Sequence, residues 1–412
     1  MLQSQLFSRT LHQDPKDEPS VNARLLSRAG YIDKLMAGVW TYLPLGWRVL
    51  SNINAIIREE MDHIGAVEMH MPALQPRELW EATNRWSGQE IMYQFQDHGG
   101  RDVGLAWTHE ELVAEIAKRA IASYRDLPLA VYQIQSKFRD EPRAKAGLLR
   151  GREFFMKDLY SFHTTEEEQD AFYNSVRQAY RNIFTRCGVD AREVEASGGA
   201  FTDKFSHEYQ VLTESGEDTI VYCPSCTFAR NAEVAEGTEK CPNCGGALTR
   251  AKSIEVGNIF KLGKRFPEAY DLKYKDANGK DQYPLMASYG IGPGRLMGTI
   301  VEVFSDDKGI IWPREVAPAL VHLIPVGAGG TVTMEARGLY ERLHGAHITT
   351  LLDDRADASA GERFADADLL GLPYRVVVSE KTLKEKKYEL KHRSGGEAQL
   401  VDFDTLISLI RS

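Results

Sequence analysis

Three clusters in this chain carry side chains suited to chemistry. The first is KFRDEPRAKAGLLRGREFFMKDLYSF at residues 137–162. Arg139 and Glu141 stand two apart, so on a strand they project from one face. A polar loop with Arg143, Lys145, Arg150 and Arg152 follows, and residues 137–157 hold seven cations against three anions. Phe154 stands four past Arg150. Guanidinium groups grip phosphate oxygens through paired N–H donors and an aromatic ring stacks on a base, so the set suits a nucleotide. A solvated basic loop over core phenylalanines has the same composition. The second cluster is Tyr289-Gly290-Ile291-Gly292-Pro293-Gly294-Arg295. Its glycines let backbone approach a ligand, and Arg295 behind them fits a triphosphate tail. A dinucleotide-binding loop is the poorer match, because the flanking rhythm is not βαβ. The third is Thr108-His109-Glu110, where a hydroxyl and a carboxylate can hold a small ammonium group. The same residues could instead open a helix, with Thr108 as N-cap and Glu110 and Glu111 in the first turn.

Four of the five cysteines form two C-P-x-C knuckles, Cys223/Cys226 and Cys241/Cys244, separated by 14 residues. That pattern reads as a tetrahedral zinc ribbon, although the gap is slightly short. Four thiolates would fill every ligand position, so the zinc, one per chain, would be structural. A redox pair would not be doubled and would sit in a thioredoxin-like βαβ setting. Iron is the other metal such a cage accepts. Cys187 stands alone and reads as a small buried hydrophobe.

The elements that position these residues follow from periodicity. Residues 46–65 carry apolar side chains at helical spacing, with Gly65 at the C-cap position. AVEMHMPAL then alternates like a strand up to Pro72. Residues 130–138 and 153–163 read as strands flanking a polar loop, and 166–186 as a long amphipathic helix. Residues 205–222 alternate like antiparallel strands, and two strand-like runs follow the cysteines. MASYGIGPGRLMGTIVEVF reads as strand, turn and helix. Beyond Trp312-Pro313 and Pro318 the runs VHLIPVG, HITTLLDD and PYRVVVS alternate with helical stretches, a βαβ rhythm.

Taken in order, these motifs resemble the bacterial kind of prolyl-tRNA synthetase within the class II aminoacyl-tRNA synthetases. RAGYIDKLMAGVWTYLPLGWRVL is similar to that family's N-terminal segment, and IIREEMDHIGAVEMHMPALQP to its dimer-forming motif 1. FRDEPRAKAGLLRGREFFMKDLYSFH is similar to motif 2 and SYGIGPGRLMGTIVE to motif 3. THE at 108–110 and SHEYQV at 206–211 are similar to its amino-acid and ATP segments. GIIWPREVAPALVHLIPV and LLDDRADASAGERFADADLLGLP are similar to its anticodon-binding domain.

The resemblance implies an α/β and α+β multidomain fold. A class II antiparallel-sheet catalytic core would span 1–218 and 251–315. A four-cysteine zinc-ribbon-like insertion would occupy 219–250, and an α/β/α anticodon-binding domain 316–412. It implies that ATP and L-proline give prolyl-adenylate, with Mg²⁺ on the phosphates, and that the prolyl group passes to the 3′-terminal adenosine of tRNA(Pro). Arg139 would hold the α-phosphate and Glu141 would face adenine. Arg150 and Arg295 would hold the β/γ end, Phe154 would stack on the base, and Gln210 would lie on the nucleotide side. Thr108 and Glu110 would bind the prolyl nitrogen, with Arg139, His163 and Ser288 also at the proline pocket. Adenylation needs no protein nucleophile, since the substrate carboxylate attacks phosphorus; positioning and cationic stabilisation suffice. No general base is therefore assigned to His163 or His207.

The chain also departs from that family. Its common bacterial form carries an editing domain between motifs 2 and 3, but here only about 120 residues separate His163 from Leu285, so that domain is expected to be absent. Asn258 stands where the family usually has histidine. The net charge of −9 excludes general nucleic-acid binding, so RNA contacts must be local. Residues 321–412 hold 12 cations against 14 anions, but Lys381, Lys384, Lys386, Lys387, Lys391 and Arg393 form a candidate phosphate ridge. A solvated helix face with i,i+4 pairs explains that stretch equally. By resemblance Asp354 and Arg355 would lie near the anticodon. No apolar run reaches the roughly 18–20 residues of a membrane span, and the N-terminal stretch has no signal-peptide core. A cytoplasmic homodimer is expected. Three rivals remain: an enzyme adenylating a small amino acid for another carrier, a non-catalytic tRNA-binding regulator, and a threonyl or seryl relative.

Overall fold

The computed structural model describes residues 1–15, 18–88, 90–198, 206–235, 237, 239–327 and 330–411. Residue 205, at the edge of the run expected over 205–222, lies outside them. The chain divides into two compact units, one of Met36–Val39 and Asn54–Thr299, the other of Met1–Leu35, Trp40–Ile53 and Ile300–Ser412.

The first unit is built on helices α1 (Pro44–His63, entering from the other unit), α2 (Glu110–Ala117), α3 (Glu166–Arg186) and α4 (Pro293–Val303, leaving it). Its strands are β1 (Val67–Glu68), β2 (Leu129–Phe138), β3 (Glu153–His163), β4 (Ala191–Ala196), β5 (Ser206–Leu212), β6 (Asp218–Tyr222), β7 (Ala229–Asn231), β8 (Thr249–Gly263) and β9 (Leu285–Ile291). They form one nine-stranded sheet in the order β5-β4-β7-β6-β8-β9-β3-β2-β1. Only β1–β2 and β4–β7 are parallel pairs. The β2–β3 ladder runs unshifted from Leu129↔Phe162 to Phe138↔Glu153, and β9 pairs β3 from Leu285↔His163 to Ile291↔Lys157.

Period-2 alternation therefore fixes two faces of β3. Phe154, Met156, Asp158 and Tyr160 share one face; Lys157, Leu159, Ser161 and His163 share the other. Helix α3 covers the second face. It starts where Thr165 accepts from the Glu168 N–H at 3.2 Å, with three glutamates in its first turn. It buries Tyr173, Val176, Tyr180 and Ile183 at helical spacing. Met71, Val113, Tyr160, Phe162, Phe260 and Met286 pack together with the apolar side of α2.

Two expectations differ from the structure. Up to Pro72 the run AVEMHMPAL pairs as a strand only at Val67–Glu68, and Leu74 opens a separate short strand paired with Leu105. Beyond Glu68 the side chain of Gln133 accepts the Met71 N–H (2.9 Å) and Gln135 donates to the Met71 carbonyl (2.7 Å), so side chains replace the ladder. The two strand-like runs after the cysteines begin with one 15-residue strand, β8, kept continuous by partners β5, β6 and β9.

In the second unit a five-stranded sheet has the order β11-β10-β12-β13-β14. These are β10 (Val321–Val326), β11 (Thr350–Leu352), β12 (Tyr374–Ser379), β13 (Tyr388–His392) and β14 (Gln399–Val401), with helices α5 (Gly330–Gly345), α6 (Ala360–Leu370), α7 (Glu380–Lys384) and α8 (Phe403–Arg411). The first three strands are mutually parallel and the last two antiparallel. Val332, Leu339, Leu406 and Ile410 of α5 and α8 pack with Leu323 and Val376 on one face, while Ala367 of α6 packs with Ile324 and Val377 on the other. The result is the expected α/β/α layering. Helix α6 ends at Gly371, whose φ of +73° and 2.1 Å gap between a would-be Cβ and the Ile310 carbonyl admit only glycine. Residues 1–53 outside the 36–39 turn belong with this unit because Tyr31 donates to the Leu370 carbonyl (2.7 Å) and accepts from the Trp312 indole (2.9 Å). No helix of the described residues is long and apolar enough to cross a membrane.

Candidate active site

The basic motif and the glycine turn meet on the first face of β3. A cavity of about 90 Å³ is lined there by Arg139, Glu141, Arg150, Phe154, Glu255 and Arg295, among others. A second hollow of about 260 Å³ shares Arg139, Glu141, Arg150, Glu255 and Arg295 and adds Glu217 and Asp218. A Cβ at Gly290 would stand 2.8 Å from the Asn258 amide oxygen, so any larger residue there would displace that side chain. A larger cavity of about 800 Å³ lies away from these residues, between the end of α3, β4 and Cys226–Ala229.

The arginines are held differently. Arg139 donates to the Trp107 carbonyl at 3.4 Å and its guanidinium lies 5.1 Å from the Phe154 ring centroid. Its shielded Nε has no partner. Burial, then the neighbouring Arg295, pushes Arg139 down to about 10, still fully charged at neutral pH. A half-buried, incompletely paired guanidinium is a site that wants an anion. Arg150 is tied to Glu141 (2.9 Å) and Glu217 (3.1 Å). Arg295 donates to the carbonyls of Leu149 (2.9 Å) and Glu255 (3.0 Å). Asn258 donates to the Glu255 carboxylate at 2.9 Å, a contact that accounts for the amide at this position.

The ammonium-binding candidate sits beside them. His109, not Thr108, occupies the N-cap of α2, and the Thr108 hydroxyl donates to the Glu110 carboxylate. Arg85 lies 3.4 Å from Glu110 and 2.9 Å from Glu111. Burial raises the Glu110 carboxyl, with Glu111 reinforcing and Arg85 opposing, so an incoming cation would be welcome there.

Beneath lies a network that the motifs did not reveal. Lys137, wholly buried, is 2.8 Å from Asp158 and 2.7 Å from His109 Nδ1. Tyr160 and Gln133 each donate to Asp158 at 2.9 Å. His109 Nε2 is 3.2 Å from the Pro72 carbonyl and must donate to it, so Nδ1 accepts from the Lys137 ammonium. Burial and that ammonium pull the imidazole down to about 3, leaving it neutral. The signal that could have found Asp158 and Tyr160 is period-2 alternation along β3, which puts them on the same face as Phe154.

Ser288 pairs with Tyr160 across the sheet and so shares this face. His163 does not: its Nε2 is 2.8 Å from Ser161 Oγ, and its ring lies 5.5 Å from Phe172 of α3, on the opposite face. Parity along β3 puts it there, which corrects its expected place at the proline pocket. Burial pulls it down to about 4. Gln210 is buried and donates to Glu208 (3.0 Å) and Asp218 (3.1 Å), reaching the larger hollow through Asp218 rather than lining it.

Cys223, Cys226, Cys241 and Cys244 converge, with all four sulfurs within 4.8 Å of one another and the closest pairs at 3.4 and 3.5 Å. A tetrahedral four-sulfur site with bonds of about 2.3 Å spaces its sulfurs about 3.8 Å apart, so the residues fit a metal ion. The Ser225 N–H donates to Cys223 Sγ at 3.4 Å, as expected of a knuckle. Cys187 is buried at the end of α3.

The expected anticodon residues are engaged within the chain. Asp354 accepts from Ser4 N (2.8 Å) and Oγ (2.7 Å). Arg355 pairs with Asp353 (2.7 Å) and Asp366 (2.8 Å). Lys381 is exposed on five-residue α7. The lysine ridge is not one helix face, because α7 ends at Lys384 and Lys391 lies on β13.

Residues 93–304 match the tRNA synthetase class II core domain (G, H, P, S and T), and residues 320–412 match the anticodon binding domain. The molecule is thus a class II tRNA synthetase core joined to an anticodon-binding domain. It is 35% identical over 565 residues to the proline–tRNA ligase of Geobacillus sp. (strain WCH70), covering 100% of this chain and 99% of that one. The proline–tRNA ligase of Syntrophus aciditrophicus (strain SB) is 33% identical, at 100% and 97% coverage. The chain belongs to the proline–tRNA ligase family. Its fold is shared by the prolyl-tRNA synthetase from Cryptosporidium parvum complexed with halofuginone and AMPPNP, with a TM-score of 0.80 at 16% identity over 95% of this chain and 76% of that one.

Proposed function

We propose that this chain is an ATP-dependent proline–tRNA ligase, carried by its end-to-end similarity to such ligases. A carboxylate oxygen of L-proline attacks the α-phosphorus of ATP, the bond to the bridging oxygen breaks, and pyrophosphate leaves. The 3′-hydroxyl of the terminal adenosine of tRNA(Pro) then attacks the carbonyl carbon and AMP leaves.

Arg139 would hold the α-phosphate through its unpartnered Nε. Arg150 and Arg295 would take the β/γ end, Glu141 and Phe154 the adenine, and Gln210 the nucleotide side at one remove. Thr108 and Glu110 would receive the prolyl ammonium, with Ser288 on the same face as Tyr160. Mg²⁺ would supply charge neutralisation on the phosphates, with Glu255 the wall carboxylate suited to it. The four cysteines would hold one structural Zn²⁺ per chain. The domains expected from sequence would be catalytic 1–218 and 251–315, insertion 219–250 and anticodon-binding 316–412, although residues 1–35, 40–53 and 300–315 pack with the unit that holds 316–412. Motif 1 would form a cytoplasmic homodimer, consistent with exposed Val67 and Leu74.

The relatives align over 565 residues against 412 here, so they carry a stretch that this chain lacks. That supports the absence of an editing domain in cis. The intact arginine set disfavours a non-catalytic regulator. Purified chain, ATP, labelled proline and tRNA(Pro) should yield prolyl-tRNA; a folded chain that forms none would refute the reading.

A further inference from the structure

The anticodon-binding domain does not end at its own strands. Leu2 makes a parallel bridge to Leu352, and Gln3 Oε1 lies 2.8 Å from the buried His322 Nε2. Ser4 is fastened to Asp354 twice. Farther on, Ser8 Oγ donates to the Gly30 carbonyl (2.8 Å) and Leu11 N to the Arg28 carbonyl (2.7 Å). Residues 2–11 are thus tied at both ends beside the loop after β11. Between the ties a cavity of about 480 Å³ opens, lined by Ser4, Arg9 and His12 on one side and by Arg355, Ala356 and Ala358 on the other. Its volume falls in the roughly 300–1,000 Å³ range of small-ligand sites. Phe7, within the segment that lines it, is 86% exposed. Arg9 is exposed as well.

Arg9 lines this hollow and Phe7, two residues before it, is exposed, so the segment offers what an unstacked nucleotide needs: a π-face for the base and a cation for its phosphate. Within this unit the hollow is continuous with the matched anticodon-binding region, since Arg355–Ala358 form its far wall. Asp354 and Arg355 are already spent on Ser4 and on Asp353 and Asp366. Their part is to hold the wall, leaving the contact to what they anchor.

We propose that the N-terminal segment, through Phe7 and Arg9, forms part of the tRNA-binding surface and stacks on a single-stranded anticodon-loop nucleotide. This rests on the ligase reading above. The test is charging kinetics over a range of tRNA(Pro) concentrations for full-length Phe7→Ala, Arg9→Ala and Phe7→Trp, beside proline-dependent ATP–pyrophosphate exchange. Phe7→Ala should raise the KM for tRNA about tenfold, Arg9→Ala should raise it less, and Phe7→Trp should retain parental KM. Exchange, which needs no tRNA, should not change. An unchanged tRNA KM in Phe7→Ala overturns the proposal while leaving the ligase intact. So does loss of exchange in parallel with charging, or a dimer that dissociates with tRNA KM unchanged, which would give the patch to a second copy. A parent chain that charges no tRNA(Pro) would bring down the ligase reading itself.

Discussion

Arg139 is the residue on which the proposed nucleotide half of the site turns. Its Nε has no partner of its own, so a phosphate oxygen would complete it. Arg139→Ala should lower proline-dependent exchange by about 10²–10³-fold, the usual effect of losing one donor to a developing charge; retained exchange would remove Arg139 from that role. His163 supplies the converse case. Because it faces α3, His163→Asn should leave the KM for proline within about twofold, whereas Asp158→Asn, which strips the Lys137 pair, should raise it by at least tenfold. Glu208 gives a pH test. Burial and then Glu255 push its carboxyl up to about 7. The folded state therefore binds this proton more tightly than the unfolded chain, whose carboxyl titrates near 4.3. Its stabilising contribution is present below that value and is lost as pH rises toward 7. Thermal melts should show Glu208→Gln gaining on the parent as pH goes from 5 to 8; a constant difference would contradict it. At this scale the sequence was informative about which residues meet, since Arg139, Phe154 and Arg295 line one cavity. It was silent on Lys137, whose role depends on a histidine 28 positions away.

Elements came through the sequence unevenly, for physical reasons. Helix α3 was legible to the residue because its N-cap threonine, acidic first turn and apolar stripe agree. The strands β2 and β3 were equally clear in extent, but the sequence motif did not say which face His163 takes. Register against β2 and β9 decides that. The motif 1 strand shrank to Val67–Glu68 because glutamines took over its hydrogen bonds. The cysteine sulfurs are placed for one ion, so purified protein should contain about one zinc, and Cys226→Ser should abolish it and lower the melting temperature. Metal-free protein with an unchanged melt would rule out the zinc site.

For the whole molecule, the two-domain plan was visible in the change from antiparallel rhythm to βαβ rhythm near Trp312. What was not visible is that residues 1–35 group with the C-terminal region, because a single bridge at Leu2 and the Tyr31 hydroxyl carry no pattern in sequence. The missing stretch relative to the relatives has a functional consequence. A pocket sized for proline rejects smaller alanine by only about 1–3 kcal/mol, and on the proposed absence of an editing domain the error would stand. Alanyl-tRNA(Pro) added to the pure enzyme should persist, and rapid deacylation would reveal a hydrolytic site. The most direct measurement is ATP–pyrophosphate exchange driven by each of the twenty amino acids without tRNA. Proline should drive it strongly and alanine weakly. Exchange driven by another amino acid, or by none in a folded chain that binds ATP, would contradict the assignment.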